Sequence, residues 1–233
     1  MLELLGVDVY RDRSWVLKKI SLQVAPGDLV TLIGSAGAGK TTLLMTISGI
    51  LPAGSGSIRY QQADITNQSP SEIVYRGISQ VPEGRQLFPR LSVLDNLRLG
   101  AYIYSNRKFK FEVEERLDWV YQMFPVLQRK AEKRAGDLST IEQQMASMAR
   151  SLMARPTLLL LDEPCRDLTP PDFREIYDGI RLVNERGISV LLAEPQGRLA
   201  FSCARYGYHL ENGSIVREGP VQEFLQDKKG RVY

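Results

Sequence analysis

The stretch from Gly34 to Thr42 carries residue types that bind phosphate. It reads G-S-A-G-A-G-K-T-T and fits the pattern G-x-x-x-x-G-K-[ST] without a mismatch. Glycines let the backbone wrap a phosphate with its N–H groups pointing inward, and a helix that starts there adds its positive N-terminal end. We expect Lys40 to reach the β and γ phosphates of a nucleotide and the Thr41 hydroxyl to hold Mg²⁺. The residues expected to bind the nucleotide here are Gly34, Ser35, Ala36, Gly37, Ala38, Gly39, Lys40, Thr41 and Thr42.

A second group of residues that could act on a phosphate follows an apolar run. Residues 158–161 are four leucines, and Asp162 and Glu163 come directly after them. A continuous apolar run is typical of a strand buried on both faces of a parallel sheet. At the end of such a strand, Asp162 is placed to hold Mg²⁺ through water, and Glu163 is placed to polarise an attacking water. We therefore predict Glu163 and Lys40 as catalytic residues.

The elements that must position these residues follow from hydrophobic periodicity. A strand at 28–33 and a helix at 42–50 flank the glycine-rich stretch. Between residues 92 and 134 apolar residues recur at helical spacing, and Ser139 with Glu142 forms a capping box that opens another helix. These patterns predict an α/β domain with an inserted helical subdomain. Other strands are predicted at residues 2–9, 15–24, 57–60, 77–81, 157–161, 188–193 and 206–210.

Composition narrows the class of protein. The length of 233 residues suits one α/β domain, and the net charge of +3 is too small to indicate nucleic acid as a partner. Cys165 and Cys203 are too few for a disulfide framework, and His209 is the only histidine, so a metal site of histidines is not expected. Neither a membrane span nor a secretory signal is apparent in the sequence. We expect the chain in the cytoplasm.

Further stretches give the chain a family resemblance. With the two phosphate motifs, the chain resembles ABC-type ATPases over nearly its whole length. It is most similar to the F-type ATPase subunit of branched-chain amino-acid importers. The stretches that carry this resemblance are Thr31–Gly34, Val81–Val93, Trp119–Pro125 and Glu142–Met145.

The resemblance implies a fold and a division of the chain. The fold class is α/β, a P-loop NTPase with a mixed central sheet, an N-terminal antiparallel β subdomain and an inserted helical subdomain. The single ABC ATPase domain would span residues 1–233. Its nucleotide-binding core would comprise residues 1–91 and 155–233, and its helical subdomain residues 92–154.

The resemblance also implies roles for three residues outside the two motifs. Glu83 falls at the Q-loop position, where it would sense Mg²⁺ and the γ-phosphate. Tyr10 resembles the aromatic residue that stacks on adenine. The segment after Tyr10 is one residue longer than usual, and Arg11 replaces the usual glycine, so Trp15 is a competing candidate. Ser139 belongs to the signature loop, which faces the nucleotide of a second subunit.

The signature loop departs from the family pattern. Where the family has Leu-Ser-Gly-Gly, this chain has Leu138, Ser139, Thr140 and Ile141. Side chains at the two glycine positions hold backbone N–H groups away from a phosphate, most of all when the side chain is β-branched. Thr140 and Ile141 should therefore weaken the action of this loop on a partner's nucleotide, while the Ser139 hydroxyl can still reach it.

Two further motifs also depart from the family. Pro195 occupies the switch position, where other members have His or Gln, and it offers neither a side-chain donor nor an N–H group. Gln196 is the alternative if the backbone shifts by one residue. In the D-loop, Leu168 matches the family, but Asp167 replaces the glycine.

Two hypotheses about function follow. The first is an ATP-binding and hydrolysing subunit of an ABC importer, expected to serve branched-chain amino acids, with ATP and Mg²⁺ as ligands. It would pair with a second ATPase subunit as a homo- or heterodimer and with membrane permease subunits, and indirectly with a solute-binding protein, at the inner face of the cell membrane. The second is a degenerate subunit that binds ATP but hydrolyses it poorly. A P-loop kinase or GTPase would not explain the inserted helices.

Overall fold

The computed structural model describes residues 1–104, 110–195 and 197–225. Its strands are β1 (Leu2–Arg11), β2 (Ser14–Val24), β3 (Leu29–Ile33), β4 (Ser55–Tyr60), β5 (Ala63–Asp64), β6 (Ile78–Val81), β7 (Leu158–Asp162), β8 (Ser189–Glu194), β9 (Tyr206–Glu211) and β10 (Ser214–Pro220). Its helices are α1 (Lys40–Ile47), α2 (Pro70–Tyr75), α3 (Val93–Gly100), α4 (Lys110–Met123), α5 (Pro125–Arg129), α6 (Thr140–Leu152), α7 (Pro170–Glu185), α8 (Gly197–Ala200) and α9 (Val221–Leu225). Short 3₁₀ turns lie at Tyr102–Tyr104 and Ala135–Asp137.

The larger sheet is mixed and has the strand order β10-β9-β3-β8-β7-β6. Strands β6, β7, β8, β3 and β9 run parallel to one another, and β10 is antiparallel to β9. Every residue of β3, β7 and β8 is buried. In β7, Leu159 and Leu161 face one hydrophobic cluster while Leu158 and Leu160 face another, so the leucine run is covered on both sides. The mixed α/β sheet predicted from the sequence is confirmed.

The smaller sheet is antiparallel, with the order β2-β1-β4-β5. The β1–β2 turn places Asp12 and Arg13 at positive φ. Val9 pairs with Leu17 while the next residue of β1, Tyr10, pairs with Trp15, so Val16 is one residue in excess. A β-bulge of this kind absorbs an extra residue without disturbing the rest of the ladder. A second irregularity of this ladder lies between the pairs Val7–Ile20 and Val9–Leu17.

The helices between residues 92 and 154 pack against the face of the large sheet that carries Leu159 and Leu161. Apolar side chains of α3, α4 and α6 share one buried cluster with those of β6, β7 and β8, among them Leu97, Val120, Met148, Val81, Leu161 and Val190. The Ser151 hydroxyl donates to the Gln80 carbonyl at 3.1 Å, which ties α6 to β6. The helices themselves agree with the periodicity, and the division into core and subdomain stays a prediction.

Helix ends show where local sequence signals were sufficient. Helix α6 begins at Thr140 with Ser139 as its cap, and the predicted capping box with Glu142 is confirmed. Helix α1 begins at Lys40 rather than at residue 42, because the last glycine of the loop serves as its cap. Helix α2 was not predicted, although Ser69 and Glu72 form a capping box at its start. Within the described residues, no helix has the length and apolar composition that crossing a bilayer requires.

Replacing Leu160 with alanine tests how far the fold depends on the buried strand β7. Leu160 is fully buried in the middle of β7. Loss of its side chain leaves a cavity, and the free energy of unfolding should fall by about 2–5 kcal/mol. Urea unfolding followed by circular dichroism measures it. Leu5→Ala is the matched control, because Leu5 is 42% exposed and its truncation should cost about 0.5 kcal/mol or less. Equal losses in the two variants would contradict this view of the core.

Candidate nucleotide-binding site

The glycine-rich loop connects β3 to α1 and requires glycine at specific points. A Cβ at Gly34 would lie 2.3 Å from the Leu210 carbonyl oxygen, which no side chain could tolerate. Gly39 has a φ of 112°, and a Cβ there would lie 2.7 Å from the Leu17 side chain. The loop is therefore pressed against β9 and β2, and its glycines are needed for close approach as well as for backbone freedom.

The open side of this loop is suited to an anion. Ser35, Ala36 and Gly37 are exposed, whereas Ala38 is buried and its carbonyl accepts from the Gly213 N–H at 3.0 Å. Helix α1 has no side-chain cap and no acidic residue in its first turn, which includes Thr41 and the buried Thr42. Its positive N-terminal end therefore faces the loop without an acidic side chain from its own first turn.

Lys40 is buried beneath the loop. Its ammonium donates to the carbonyls of Gly34 at 2.7 Å and Ser35 at 3.2 Å, and it pairs with a Glu163 carboxylate oxygen at 3.1 Å. A buried ammonium needs such partners, because its desolvation is costly. Lys40 thus links the first phosphate motif to the second.

Thr41 and Asp162 lie side by side. The Thr41 hydroxyl donates to Asp162 Oδ1 at 3.2 Å. The other carboxylate oxygen, Oδ2, is buried and has no hydrogen-bond partner. Burial raises the pKa of Asp162 above its ordinary value of 3.8, and the nearby Glu163 adds to the rise. A hydroxyl beside an unpaired carboxylate oxygen fits a small hard cation such as Mg²⁺. The described residues contain no cluster of three or more His, Cys, Asp or Glu that could hold a metal without other ligands.

Glu163 occupies a restricted position at the end of β7. Its φ is 45°, a left-handed conformation that is uncommon for residues other than glycine. Its N–H donates to the Ala193 carbonyl at 2.9 Å, so β8 holds it in place. One carboxylate oxygen faces Lys40 and the other lies 3.9 Å from the Arg166 guanidinium.

Glu83 contacts the same arginine as Glu163. Its carboxylate is ion-paired with the Arg166 guanidinium, which therefore lies between Glu83 and Glu163. Arg166 follows Glu163 by three residues and belongs to the D-loop. Sequence reasoning gave Arg166 no role, and its only signal was its place in a motif that departs from the family.

The two candidates for an adenine contact, Tyr10 and Trp15, form one feature. Their rings stack with centroids 6.1 Å apart and planes 13° from parallel, and both are about half exposed. The Trp15 indole N–H donates to Asp8 at 2.9 Å. Asp8 also accepts from Ser55, which is the main reason why its pKa lies below the ordinary value. No local pattern in the sequence pointed to Asp8, because its partners Trp15 and Ser55 come from two other strands, β2 and β4.

The segments that depart from the family lie outside the phosphate loop. Ser139 and Thr140 are exposed, and Ser139 caps α6, accepting from the Glu142 N–H at 3.4 Å. Within the part of the chain that the structure describes, no hydrogen bond joins Ser139 to the phosphate loop. Pro195 is an exposed bend after β8. Gln196, the alternative switch residue, lies outside the described residues.

A buried acidic residue, Glu194, is the last residue of β8 and lies at the same edge of the sheet. Its carbonyl accepts from the Gly34 N–H at 3.3 Å, and its carboxyl accepts from the Tyr177 hydroxyl at 3.1 Å. Burial raises the pKa of Glu194 from 4.5 to about 8, and the charge of Glu163 adds to the rise. Sequence reasoning missed Glu194 and Tyr177, which are 17 residues apart and meet only through packing.

Together, these features define a P-loop nucleotide-binding domain. The loop, the lysine, the hydroxyl and the two acidic residues meet at the carboxyl edge of a parallel sheet, where α/β proteins bind their ligands. Residues 17–166 match the ABC transporter family, and the chain belongs to it as an ATP-binding subunit.

Two of the relatives in this family are branched-chain amino-acid transport proteins. The chain is 39% identical over 231 residues to the "High-affinity branched-chain amino acid transport ATP-binding protein BraG" of Pseudomonas aeruginosa, covering 99% of this chain and 97% of that protein. It is 30% identical over 215 residues to the "Probable branched-chain amino acid transport ATP-binding protein LivF" of Archaeoglobus fulgidus, covering 92% and 89%. The predicted resemblance to ATPase subunits of branched-chain amino-acid importers is confirmed.

Solved structures agree on the fold. An ATP-binding cassette of an ABC transporter in its ADP conformation superimposes with a TM-score of 0.88 at 26% identity, covering 98% of this chain and 96% of the other. A nucleotide-free cassette from an ABC transporter gives a TM-score of 0.87 at the same identity and coverage. The arrangement of sheets and helices is thus that of an ABC ATPase.

Stability should fall as pH rises through the titration of Glu194. Its folded-state pKa of about 8 exceeds its ordinary value of 4.5, so between these values the unfolded chain loses a proton that the folded chain keeps. The free energy of unfolding should therefore fall with rising pH in this window, by at most about 1.4 kcal/mol per unit. Urea unfolding at about pH 6 and about pH 8 measures the change.

Glu194→Gln is the matched variant for this experiment. The amide keeps an acceptor for the Tyr177 hydroxyl but cannot ionise, so its free energy of unfolding should change less between the two pH values than that of the wild type. An identical pH dependence in both proteins would show that Glu194 ionises as freely in the folded chain as in the unfolded one.

Proposed function

We propose that this chain binds and hydrolyses ATP as the ATPase subunit of an importer for branched-chain amino acids. The observation that carries the proposal is the convergence of Lys40, Thr41, Asp162 and Glu163 at one edge of the sheet. The names of the relatives support the choice of solute, since no residue of an ATPase subunit needs to contact it.

The phosphate loop would hold the nucleotide from Gly34 to Thr42. Backbone N–H groups of the loop and of the start of α1 surround the phosphates, and Lys40 exchanges its carbonyl partners for phosphate oxygens. Lys40 is already aimed at the loop, so the exchange needs only a side-chain movement. The exposed Tyr10–Trp15 pair offers a flat surface for adenine.

Thr41 and Asp162 would hold Mg²⁺, with Glu83 close to the γ-phosphate. The unpaired Oδ2 of Asp162 supports this assignment. When bound, Mg²⁺ neutralises charge on the phosphates.

Glu163 would orient the attacking water and accept its proton. The water oxygen then bonds to the γ-phosphorus while the bond from phosphorus to the β–γ bridging oxygen breaks, which yields ADP and phosphate. The fixed backbone of Glu163 supports this role, because a base acts only from a defined distance. The ion pair between Glu163 and Lys40 must first break, and it breaks when Lys40 turns to the phosphates.

A second ATPase subunit would cover the open loop. Ser35, Ala36 and Gly37 are exposed on the side that such a partner could cover. This chain would offer its own loop at Ser139 to the partner's nucleotide, where the side chains of Thr140 and Ile141 impair the contact. A heterodimer would keep one good site if the partner's loop is intact, and a homodimer would have two impaired sites.

Permease subunits would hold the chain at the inner face of the membrane. Phe88 and Leu91, in the segment after Glu83, are 53% and 38% exposed and offer apolar contacts beside the Q-loop. A solute-binding protein would act through the permease, and the net charge of +3 argues against nucleic acid as a partner. The chain would otherwise lie in the cytoplasm.

A second candidate function is a subunit that binds ATP without turnover. It is favoured by Thr140 and Ile141 in the first turn of α6 and by Pro195, which offers no switch side chain. Both candidates require nucleotide binding at Lys40, and they differ in phosphate release.

Phosphate release from MgATP separates the two functions. The wild type, assayed with its cognate second ATPase subunit, should release phosphate, and Glu163→Gln should bind ATP equally well but lose at least about 100-fold in rate. Lys40→Ala should weaken binding about tenfold or more, because a charge-assisted contact to phosphate is lost. Lys133→Ala, at an exposed lysine, is the matched control. Tight ATP binding with no phosphate release, both by the chain alone and by the chain with its partner, would favour the second candidate.

Alanine variants of the two aromatic residues identify the adenine contact. Stacking of a base on an aromatic ring is worth about 1–3 kcal/mol, so the variant that removes the stacking ring should raise the Kd for ATP about fivefold or more. Calorimetric titration of Tyr10→Ala and Trp15→Ala gives the two values. Tyr75→Ala, at a 69% exposed tyrosine of α2, is the control. Unchanged affinity in both variants would exclude the Tyr10–Trp15 pair as the adenine platform.

A further inference from the structure

One arginine holds two acidic residues of the candidate site. The Arg166 guanidinium is ion-paired with Glu83 and lies 3.9 Å from Glu163 Oε2. Glu83 and Glu163 come from the ends of different strands, β6 and β7, and 80 residues separate them in the sequence. Arg166 is therefore the cation that bridges these two carboxylates.

The fold fixes the backbone of this arginine. The Arg166 N–H donates to the Glu163 carbonyl at 3.0 Å, and its own carbonyl accepts from the Arg85 guanidinium at 3.3 Å. Arg85 also lies 3.7 Å from the Asp167 carboxylate, and its carbonyl accepts from the Ser147 hydroxyl of α6 at 2.7 Å. The D-loop is thereby tied to the Q-loop segment and to α6.

Both oxygens of the Glu163 carboxylate face a cation. Oε1 pairs with Lys40 and Oε2 faces Arg166. These two contacts hold the side chain of Glu163 in one position, so it is not free to turn toward a water beside a bound phosphate. Nucleotide binding draws Lys40 away to the phosphates, but nothing in that exchange moves Arg166. Arg166 is 53% exposed, so a movement of the D-loop could carry it into solvent.

We propose that Arg166 is a positioning residue that restrains hydrolysis in the isolated chain. It keeps Glu163 from serving as a base, and Glu83 from facing the phosphates, until the D-loop moves. The inference rests on the proposed ATP hydrolysis and adds a residue that controls its rate. Asp167 serves the same restraint through Arg85, because it fixes the loop that carries Arg166.

Steady-state phosphate release by the purified full chain, with and without the second ATPase subunit, tests the restraint. For the chain alone, Arg166→Ala should raise kcat about tenfold, since the base becomes available, and should leave KM for ATP within about twofold. Arg166→Lys keeps a cation at this position and should retain most of the restraint. Arg205→Ala is the matched control, because Arg205 is exposed and faces Asp28 at the same 3.9 Å, before the start of β3.

Hydrogen exchange of the nucleotide-free chain gives a readout that does not need activity. Amides of residues 163–168 should exchange faster in Arg166→Ala than in the wild type and in Arg205→Ala. Suppose that the wild type releases phosphate and that this release depends on Glu163. A kcat of Arg166→Ala equal to or below the wild-type kcat would then overturn the restraint alone. ATP binding without phosphate release in all variants, even with the partner, would instead overturn the proposed hydrolysis, and the restraint with it.

Discussion

The hydrogen bond from Thr41 to Asp162 joins two segments that lie 121 residues apart in the sequence. It exists because β3 and β7 run parallel with only β8 between them, so their carboxyl ends open on the same edge. The end of β8 secures both neighbours: the Ala193 carbonyl holds Glu163, and the Glu194 carbonyl holds Gly34. The register of three strands, rather than the glycine-rich loop alone, therefore determines whether the site exists.

Charge explains why this edge is suited to a nucleotide. Lys40, Glu163, Arg166 and Glu83 form a chain of alternating charges in which each group has an opposite neighbour. A phosphate group would enter as a further anion and take Lys40 from its carboxylate partner. Beside these four charged groups, Asp162 is buried with one carboxylate oxygen unpaired, which is costly unless a cation or proton compensates it. The free chain thus holds compensating contacts that ligand binding would rearrange.

The substitutions that depart from the family are accommodated by contacts within this chain. Ile141 packs partly buried against the helical cluster, and Thr140 forms the first turn of α6. Asp167 has a φ of 60° and faces Arg85. The positions that the resemblance marks as altered, residues 140, 141, 167 and 195, lie outside the stretch from Gly34 to Thr42. The fold therefore accommodates the residues that stand at positions 140, 141 and 167.

The sequence by itself determined the features that are encoded locally. The spacing from Gly34 to Thr42 and the leucine run before Asp162 were sufficient, because a turn and a strand buried on both faces depend on neighbouring residues. Tertiary structure alone decided the pairings of Arg166 with Glu83 and of Tyr177 with Glu194. It also decided the bulge that brings Tyr10 opposite Trp15, and the contact of Trp15 with Asp8. These contacts join side chains from different elements, and no periodicity in a single sequence records which side chains meet when the elements pack.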